Sequence, residues 1–211
     1  MRLKIARLVA KLLGHRNFKV TPGHLNIWAV PMFFHSSETM PCMLHDCRQM
    51  KEAYYYLGKL QSLNGTNILI KRFGLEKNKK SFMQLFVDQG VMLGLGKGGF
   101  RIKDDNGHVD FYAYLYFPKT YKKKYGMQKE AVCHYMRGLL AGGVEAIYSP
   151  EKKIYAVETE CIAKGDERCF FEIKPEEECD SKEFRQQYSQ EPPYYERFKK
   201  IENMRQLLDE R

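Results

Sequence analysis

The residues best suited to chemistry are cysteines near the C-terminal end of a predicted sheet. Cys161 and Cys169 flank Gly165-Asp166, a pair that is typical of a turn. A hairpin centred on this turn places Cys161 opposite Cys169, with Cβ atoms about 4.5 to 5.5 Å apart on one face. Two thiolates at that separation can share one tetrahedral Zn²⁺ ion, whose Zn–S bonds are about 2.3 Å long.

A zinc site needs further ligands. Cys133 is the best third ligand, because it lies on the helix predicted just before these strands. The fourth ligand could be a carboxylate. The residues alone leave two alternatives to a structural metal open, a cross-strand disulfide and a reduced buried pair of thiols.

Other motifs offer weaker chemistry. The glycines of residues 94–99 match the spacing of a dinucleotide-binding motif, but here a helix precedes and a strand follows, the reverse of what that motif requires. We interpret them as a flexible connection. The six histidines are scattered and form no hydrolase signature, and Cys42 and Cys47 are interpreted as ordinary residues. We therefore expect a protein that is not an enzyme.

Composition narrows the class of protein. The chain has 211 residues, of which 44% are hydrophobic and 29% charged, as in one folded domain with extensions. Its net charge of +9 permits contact with nucleic acid or anionic lipid, but we expect no nucleic-acid partner. No stretch is apolar enough for a transmembrane helix, and the N-terminal apolar residues are interrupted by lysine and arginine. We expect a cytoplasmic protein with reduced thiols.

Hydrophobic spacing predicts mainly helices in the N-terminal half. These elements are a basic amphipathic helix at residues 2–13, a strand at 25–34, a helix capped by Asp46 that ends near Gly65, a helix at 66–73 and another that begins at Ser81.

The pattern changes to alternation from residue 100 onward, which predicts strands. In residues 111–117 both faces of the strand are apolar enough to be covered. The elements are strands at 100–103, 109–117, 144–148, 153–163 and 168–174, a helix at 128–142 whose Gly138 and Gly142 allow close approach to the sheet, and a final helix at 195–208. This order predicts an α+β fold, with an antiparallel sheet of four to five strands covered by helices mainly on one side.

These residues resemble a known family. Cys133, followed by Glu158-x2-Cys161-x7-Cys169 with Gly165-Asp166 inside, resembles the closing signature of the vinyl-4-reductase domain. Residues 55–58 with Asn64-Gly65 are similar to the first helix of the family, and Gly138 fits its glycine-bearing helix. The resemblance covers about residues 45–175.

The resemblance implies a fold shared with subunits of the vesicle-tethering complex TRAPP and distantly with haem nitric-oxide sensors. It places a vinyl-4-reductase-like domain at 23–175, between an N-terminal helix at 1–22 and an acidic linker with a C-terminal helix at 176–211. It also implies a homodimer, a small hydrophobic ligand and a structural Zn²⁺ held by four residues. They are Cys133, Glu158, Cys161 and Cys169.

One ligand requires an irregular strand. Glu158 and Cys161 differ by an odd number of positions, so a regular strand would direct their side chains to opposite faces. Coordination by Glu158 therefore needs a β-bulge or an early end of the strand. His134 and Cys179 are the alternatives for the fourth ligand.

Four protein ligands leave no open position on the metal for water, which is typical of a structural zinc. We therefore expect a binding or sensing protein. The expected pocket residues are Tyr54, Leu57, Phe82, Phe86, Tyr112 and Tyr114. The alternative functions are an accessory protein of tetrapyrrole 4-vinyl reduction and a TRAPP-like assembly scaffold. Since the chain has room only for terminal helices beside this domain, we expect any signal to pass to a separate regulatory partner.

Overall fold

The structure is a computed structural model that describes residues 18–21, 24–27, 30–32, 39–73, 79–92, 95–148 and 152–179. The helices predicted at residues 2–13 and 195–208 lie outside the described residues. Within them, no helix combines the length and apolar character needed to cross a bilayer.

A small antiparallel sheet comes first. It consists of β1 (Phe18–Thr21), β2 (His24–Ile27) and β3 (Val30–Met32), in that order. Ile27 pairs with Val30, so the chain reverses direction inside the segment predicted as one strand at 25–34, and that prediction is wrong. The intervening Trp28-Ala29 is not a pair that favours a two-residue turn, so the sequence offered no signal for the reversal.

Three helices follow, α1 (Thr39–Asp46), α2 (Lys51–Phe73) and α3 (Lys79–Met92), with a 3₁₀ turn at Arg48–Met50 between the first two. Asp46 is the last residue of α1, so the prediction that it caps the following helix is wrong. α2 continues through Asn64-Gly65 as one helix, where two were predicted. A glycine costs a helix only about 1 kcal/mol, which packing against a second helix can offset.

The main sheet has four antiparallel strands, β4 (Gly96–Ile102), β5 (Val109–Leu115), β6 (Ile154–Glu160) and β7 (Cys169–Pro175). Their order is β4-β5-β7-β6, so β7 lies between β5 and β6. This arrangement confirms the predicted α+β class and antiparallel sheet.

Two helices depart from the predicted boundaries. α4 (Tyr116–Tyr125) begins where the strand was expected to continue to residue 117, and α5 (His134–Tyr148) includes residues 144–148, which were predicted as a strand. Val144 is 1% exposed and extends the buried face of α5. Burial of this apolar helical face outweighs the strand preference of β-branched residues. The glycine run also differs from the prediction, because most of it forms the start of β4.

α5 packs directly on α2. A Cβ atom on Gly138 would overlap the carbonyl oxygen of Tyr55, and one on Gly142 would overlap that of Lys59. The close approach predicted for these glycines is therefore to a helix and not to the sheet. The α2–α5 pair provides the support on which the first residues of α5 are positioned.

The main sheet has one buried and one exposed face along β5. Phe111 and Ala113 are 6% and 1% exposed, whereas Tyr112 and Tyr114 are 38% and 51% exposed. The expectation that both faces of this strand are covered is wrong. Only the inner face contributes to the hydrophobic core.

Candidate metal centre

An irregularity in the sheet sets the direction of Glu158. β6 and β7 pair Glu158 with Phe171 but Glu160 with Phe170, so the register shifts between these positions. The shift removes the strict alternation that would direct Glu158 and Cys161 to opposite faces. The bulge required for Glu158 to join the cysteines is therefore present.

The turn after β6 orients two sulfur atoms. Asp166 accepts the backbone N–H of Cys161 on its Oδ2 atom at 2.6 Å. The carbonyl of Cys161 accepts the N–H of Lys164 at 2.8 Å, and Gly165 has φ +112°, in the left-handed region that favours glycine. The N–H of Ile162 donates to Sγ of Cys169 at 3.5 Å. The local sequence thus builds a compact turn around both cysteines.

Cys133 approaches the same turn from another element. It lies immediately before α5, and its carbonyl accepts the N–H of Arg137 at 2.9 Å. Its own N–H donates to Oε2 of Glu158 at 3.1 Å, and its Sγ lies 3.6 Å from Sγ of Cys169. The start of α5 is therefore held against β6 and β7.

These contacts create a thiol–carboxylate cluster of Cys133, Glu158, Cys161 and Cys169, with one ligand atom from each within 4.8 Å of the others. The three cysteines are fully buried and Glu158 is 4% exposed. Across the ranges that the structure describes, no other group of three or more such residues converges in this way. All three cysteines are free thiols, so the structure contains neither the alternative disulfide nor an isolated pair.

The electrostatics of the thiol–carboxylate cluster call for a cation. Burial raises the pKa of the Cys133 thiol and raises the pKa of Glu158 to about 8, where the Cys161 thiolate adds to the effect. Hydrogen bonds from Cys133 and Cys169 lower the pKa of Cys161 well below its usual value. Oε1 of Glu158 is buried and has no hydrogen-bond partner among the described residues. A buried carboxylate oxygen without a partner is costly unless a cation binds it.

The donor set fits Zn²⁺. Three sulfurs and one carboxylate oxygen match the soft and borderline ligands that this ion selects in four-coordinate sites. All four donors come from the protein, which is the arrangement of a structural metal. The buried Arg137 lies close enough to lower the pKa of Glu158, so it would offset part of the negative charge of the ligands.

His134 and Cys179, the alternatives for the fourth ligand, lie outside the thiol–carboxylate cluster. Nδ1 of His134 accepts a hydrogen bond from Arg137 at 2.6 Å, and burial lowers the pKa of His134 to about 3. Sγ of Cys179 donates to the carbonyl of Pro175 at 3.3 Å. Both side chains already have partners elsewhere.

An open cleft of about 770 Å³ lies beside the thiol–carboxylate cluster. Val132 and His134, the neighbours of Cys133, line it together with Leu44 and Tyr121. Residues 127–132, which connect α4 to α5, supply one wall, and the N–H of Gln128 donates to the carbonyl of Ala163 at 2.8 Å. This wall was predicted as helix, and its role in a cleft had no signal in the sequence.

The six predicted pocket residues are distributed over three elements. Phe82 is buried on α3 and Phe86 lies beside Gly143 of α5. Leu57 on α2 is 52% exposed, and Tyr112 and Tyr114 are on the exposed face of β5. Tyr54 is half-buried on α2. None of the six lines the cleft beside the thiol–carboxylate cluster.

Sequence reasoning also missed two supporting residues. Asp166 holds the Cys161 turn through its side chain, and Arg137 places a cation near Glu158. The position of Asp166 directly after the turn glycine was a usable signal, since aspartate commonly bonds the backbone of its own turn. Arg137 had no such signal, because only the packing of α5 brings it inward.

Comparison with known proteins agrees with this geometry. Residues 118–175 match the model of the vinyl-4-reductase domain. An uncharacterized protein of Methanocaldococcus jannaschii is 46% identical over 46 residues, which are 22% of this chain and about a quarter of the length of that relative.

Solved structures show the fold. The phenol-responsive sensory domain of the transcription activator PoxR, crystallised with phenol, is similar with a TM-score of 0.63 and 16% identity, over 89% of this chain and 98% of that one. A trafficking protein particle complex subunit 3 from Naegleria fowleri matches with a TM-score of 0.46 and 10% identity, over 66% of this chain and 95% of that one. A vinyl-4-reductase family protein from M. jannaschii matches with a TM-score of 0.40 and 17% identity, over 64% and 80%. The predicted resemblance is confirmed: residues 118–175, which carry the whole thiol–carboxylate cluster, resemble the vinyl-4-reductase domain, on a fold similar to that of the PoxR sensory domain.

Proposed function

We propose that this chain is a non-catalytic binding protein in which a structural Zn²⁺ supports a site for a small hydrophobic or aromatic molecule. The observation that carries the proposal is the convergence of Cys133, Glu158, Cys161 and Cys169 within 4.8 Å in the buried interior. Their burial excludes the solvent access that a catalytic metal needs. When bound, the zinc would supply cross-linking and charge neutralisation.

The four residues join three parts of the chain. Cys133 belongs to the start of α5, Glu158 to β6, and Cys161 and Cys169 to the turn and strand that follow. A structural metal stabilises a fold because the ligands converge only in the folded state. Here it would fix the wall of the cleft, since that wall runs directly into Cys133.

Support for a small-molecule ligand comes from the cleft and from the fold. The cleft volume is within the range of ordinary ligand sites, about 300 to 1,000 Å³. Its buried floor includes Leu44 and Tyr121. The PoxR sensory domain, which has a similar fold, was crystallised with phenol. We place the ligand in this cleft in preference to the six predicted pocket residues, because three of those are exposed to solvent.

Native mass spectrometry of the purified chain tests the metal and the assembly together. We expect one zinc ion per chain, a homodimer, and a retained small molecule in part of the population. In Cys161→Ser and Cys169→Ser the zinc signal should disappear, whereas Cys42→Ser, which changes a half-buried thiol outside the thiol–carboxylate cluster, should keep it. Full zinc occupancy in the double Cys161→Ser, Cys169→Ser variant would refute the site.

The ligand site needs its own test. We would titrate the protein with phenol and follow backbone amide signals by NMR. Shifts confined to residues 127–132 and Tyr121 support the cleft, whereas shifts at Tyr112 and Tyr114 point to the pocket predicted from the sequence. The absence of any shift with phenol and with larger aromatic probes would contradict a sensing role and favour an assembly scaffold.

A further inference from the structure

His108 connects two parts of the fold that do not include the thiol–carboxylate cluster. It ends the turn between β4 and β5, and its ring lies between two carboxylates. Nδ1 is 2.6 Å from Oδ2 of Asp104, and Nε2 is 2.6 Å from Oε2 of Glu178. Glu178 is the last residue of the 3₁₀ turn Glu176–Glu178 that follows β7. The histidine side chain is only 18% exposed.

The two contacts place opposite demands on a neutral imidazole. A neutral ring has one N–H and one lone pair, so one of its nitrogens would direct a lone pair at a carboxylate oxygen. Both nitrogens can donate only in the imidazolium form. The observed pair of 2.6 Å contacts is therefore the geometry of a protonated histidine between two anions.

The two arms differ in rigidity. Oδ1 of Asp104 accepts the N–H groups of Asn106 at 2.8 Å and His108 at 3.3 Å, so this carboxylate is part of the turn itself. These bonds and the charge of His108 lower the pKa of Asp104, although desolvation opposes the shift. Glu178 is 50% exposed and its side chain is free to turn toward solvent. Loss of the histidine proton should therefore release the Glu178 arm.

Other charged groups around His108 are engaged with different partners. Asp105 on the same turn lies 3.4 Å from Nζ of Lys79 on α3, and that ammonium also lies 4.5 Å above the ring of Tyr148 on α5. On the 3₁₀ turn, Glu177 pairs with Lys152 at 3.6 Å, and Glu176 accepts the hydroxyl of Tyr155 at 3.2 Å. No described group other than Asp104 and Glu178 makes an ion pair with the histidine ring.

We propose that His108 is a pH-sensitive clamp that fastens the segment after β7 to the β4–β5 turn when the imidazole is protonated and releases it at Glu178 when the proton is lost. The effect has a defined direction. The clamp is complete at low pH and opens as pH rises, so residues 176–179 become less protected without unfolding of the sheet. This inference does not depend on the metal or on the ligand.

Amide hydrogen exchange of the full chain at pH 5.5 and pH 8.5 tests the clamp, after correction for the intrinsic dependence of exchange on pH. The N–H of Cys179, which donates to Glu176 at 3.0 Å, is the reporter. We expect its protection to fall about tenfold at the higher pH, as for one partly exposed charge-assisted hydrogen bond. In His108→Gln and in Glu178→Gln this dependence should disappear, while the amides of β5 and β7 remain unchanged.

A second measurement uses the unmodified protein. Nitrogen-15 spectra of the imidazole should show both ring nitrogens of His108 protonated at pH 5.5 and one of them deprotonated at pH 8.5. Equal protection of Cys179 at both pH values, or a neutral ring at pH 5.5, would overturn the proposal. A His108→Gln variant that keeps the full pH dependence would overturn it as well.

Discussion

Cys133 and Cys169 place their Sγ atoms 3.6 Å apart, although 36 positions separate them in the chain. Cys133 precedes α5, and Cys169 is the first residue of β7, so this contact joins the main helix to the sheet. Both thiols are fully buried. The stability of the helix–sheet junction should therefore depend on whatever neutralises the thiol–carboxylate cluster.

Asp166→Ala should weaken metal binding without removing a ligand. The aspartate accepts the N–H of Cys161 at 2.6 Å, so its loss frees the turn that directs this sulfur. Groups that orient metal ligands typically change affinity by about 10 to 100-fold. Competition with a chromophoric chelator measures the effect. Glu167→Ala, at the neighbouring position, is the control and should bind as tightly as the unmodified protein.

Gly138→Ala should destabilise the protein. The added methyl group would overlap the backbone of Tyr55, and neither helix can move without disturbing the α2–α5 contact. We expect a loss of about 2 kcal/mol or more in the free energy of unfolding. Gly65→Ala is the matched control, because the space beside this helical glycine is open, and it should gain about 0.5 to 1 kcal/mol. Urea denaturation of both variants decides between these signs.

Lys59→Met should be costly because it leaves a buried carboxylate without its cation. Nζ of Lys59 lies 2.8 Å from Oε2 of Glu145, with the two side chains 0% and 5% exposed. Removal of one partner of a buried pair typically costs about 3 to 5 kcal/mol. The exposed pair Lys51–Glu130 provides the comparison, and Lys51→Met should cost less than about 1 kcal/mol. Similar losses in the two variants would show that burial does not govern these pairs.

Tyr135 should make the fold sensitive to alkali. Burial raises its pKa to about 12, and its hydroxyl donates to Gln61 on α2. Between pH 10 and 12 the unfolded chain loses a proton that the folded state keeps, so the free energy of unfolding falls as pH rises. The upper limit is about 1.4 kcal/mol per pH unit. In Tyr135→Phe this part of the decrease should be absent, whereas the exposed Tyr114→Phe should titrate like the unmodified protein.

The elements predicted best are those whose signal is local. Alternation over residues 109–115 and 169–175 marked β5 and β7, and Gly165-Asp166 marked the turn between the cysteines. The predictions failed where packing outweighs local preference. Residues 144–148 have the composition of a strand, yet they remain helical because Val144 extends the buried face of α5.

The sequence by itself determined the chemical inventory of the candidate metal centre, since Cys133, Glu158, Cys161 and Cys169 could be named from residue type, spacing and the family resemblance. Only the tertiary structure decided that their ligand atoms meet, because the register shift before Glu160 and the position of α5 arise from contacts between distant segments. The same holds for His108, whose partner Glu178 is 70 positions away. Spacing along a chain specifies which groups are available, but distances between them depend on how helices and sheet bury their apolar faces.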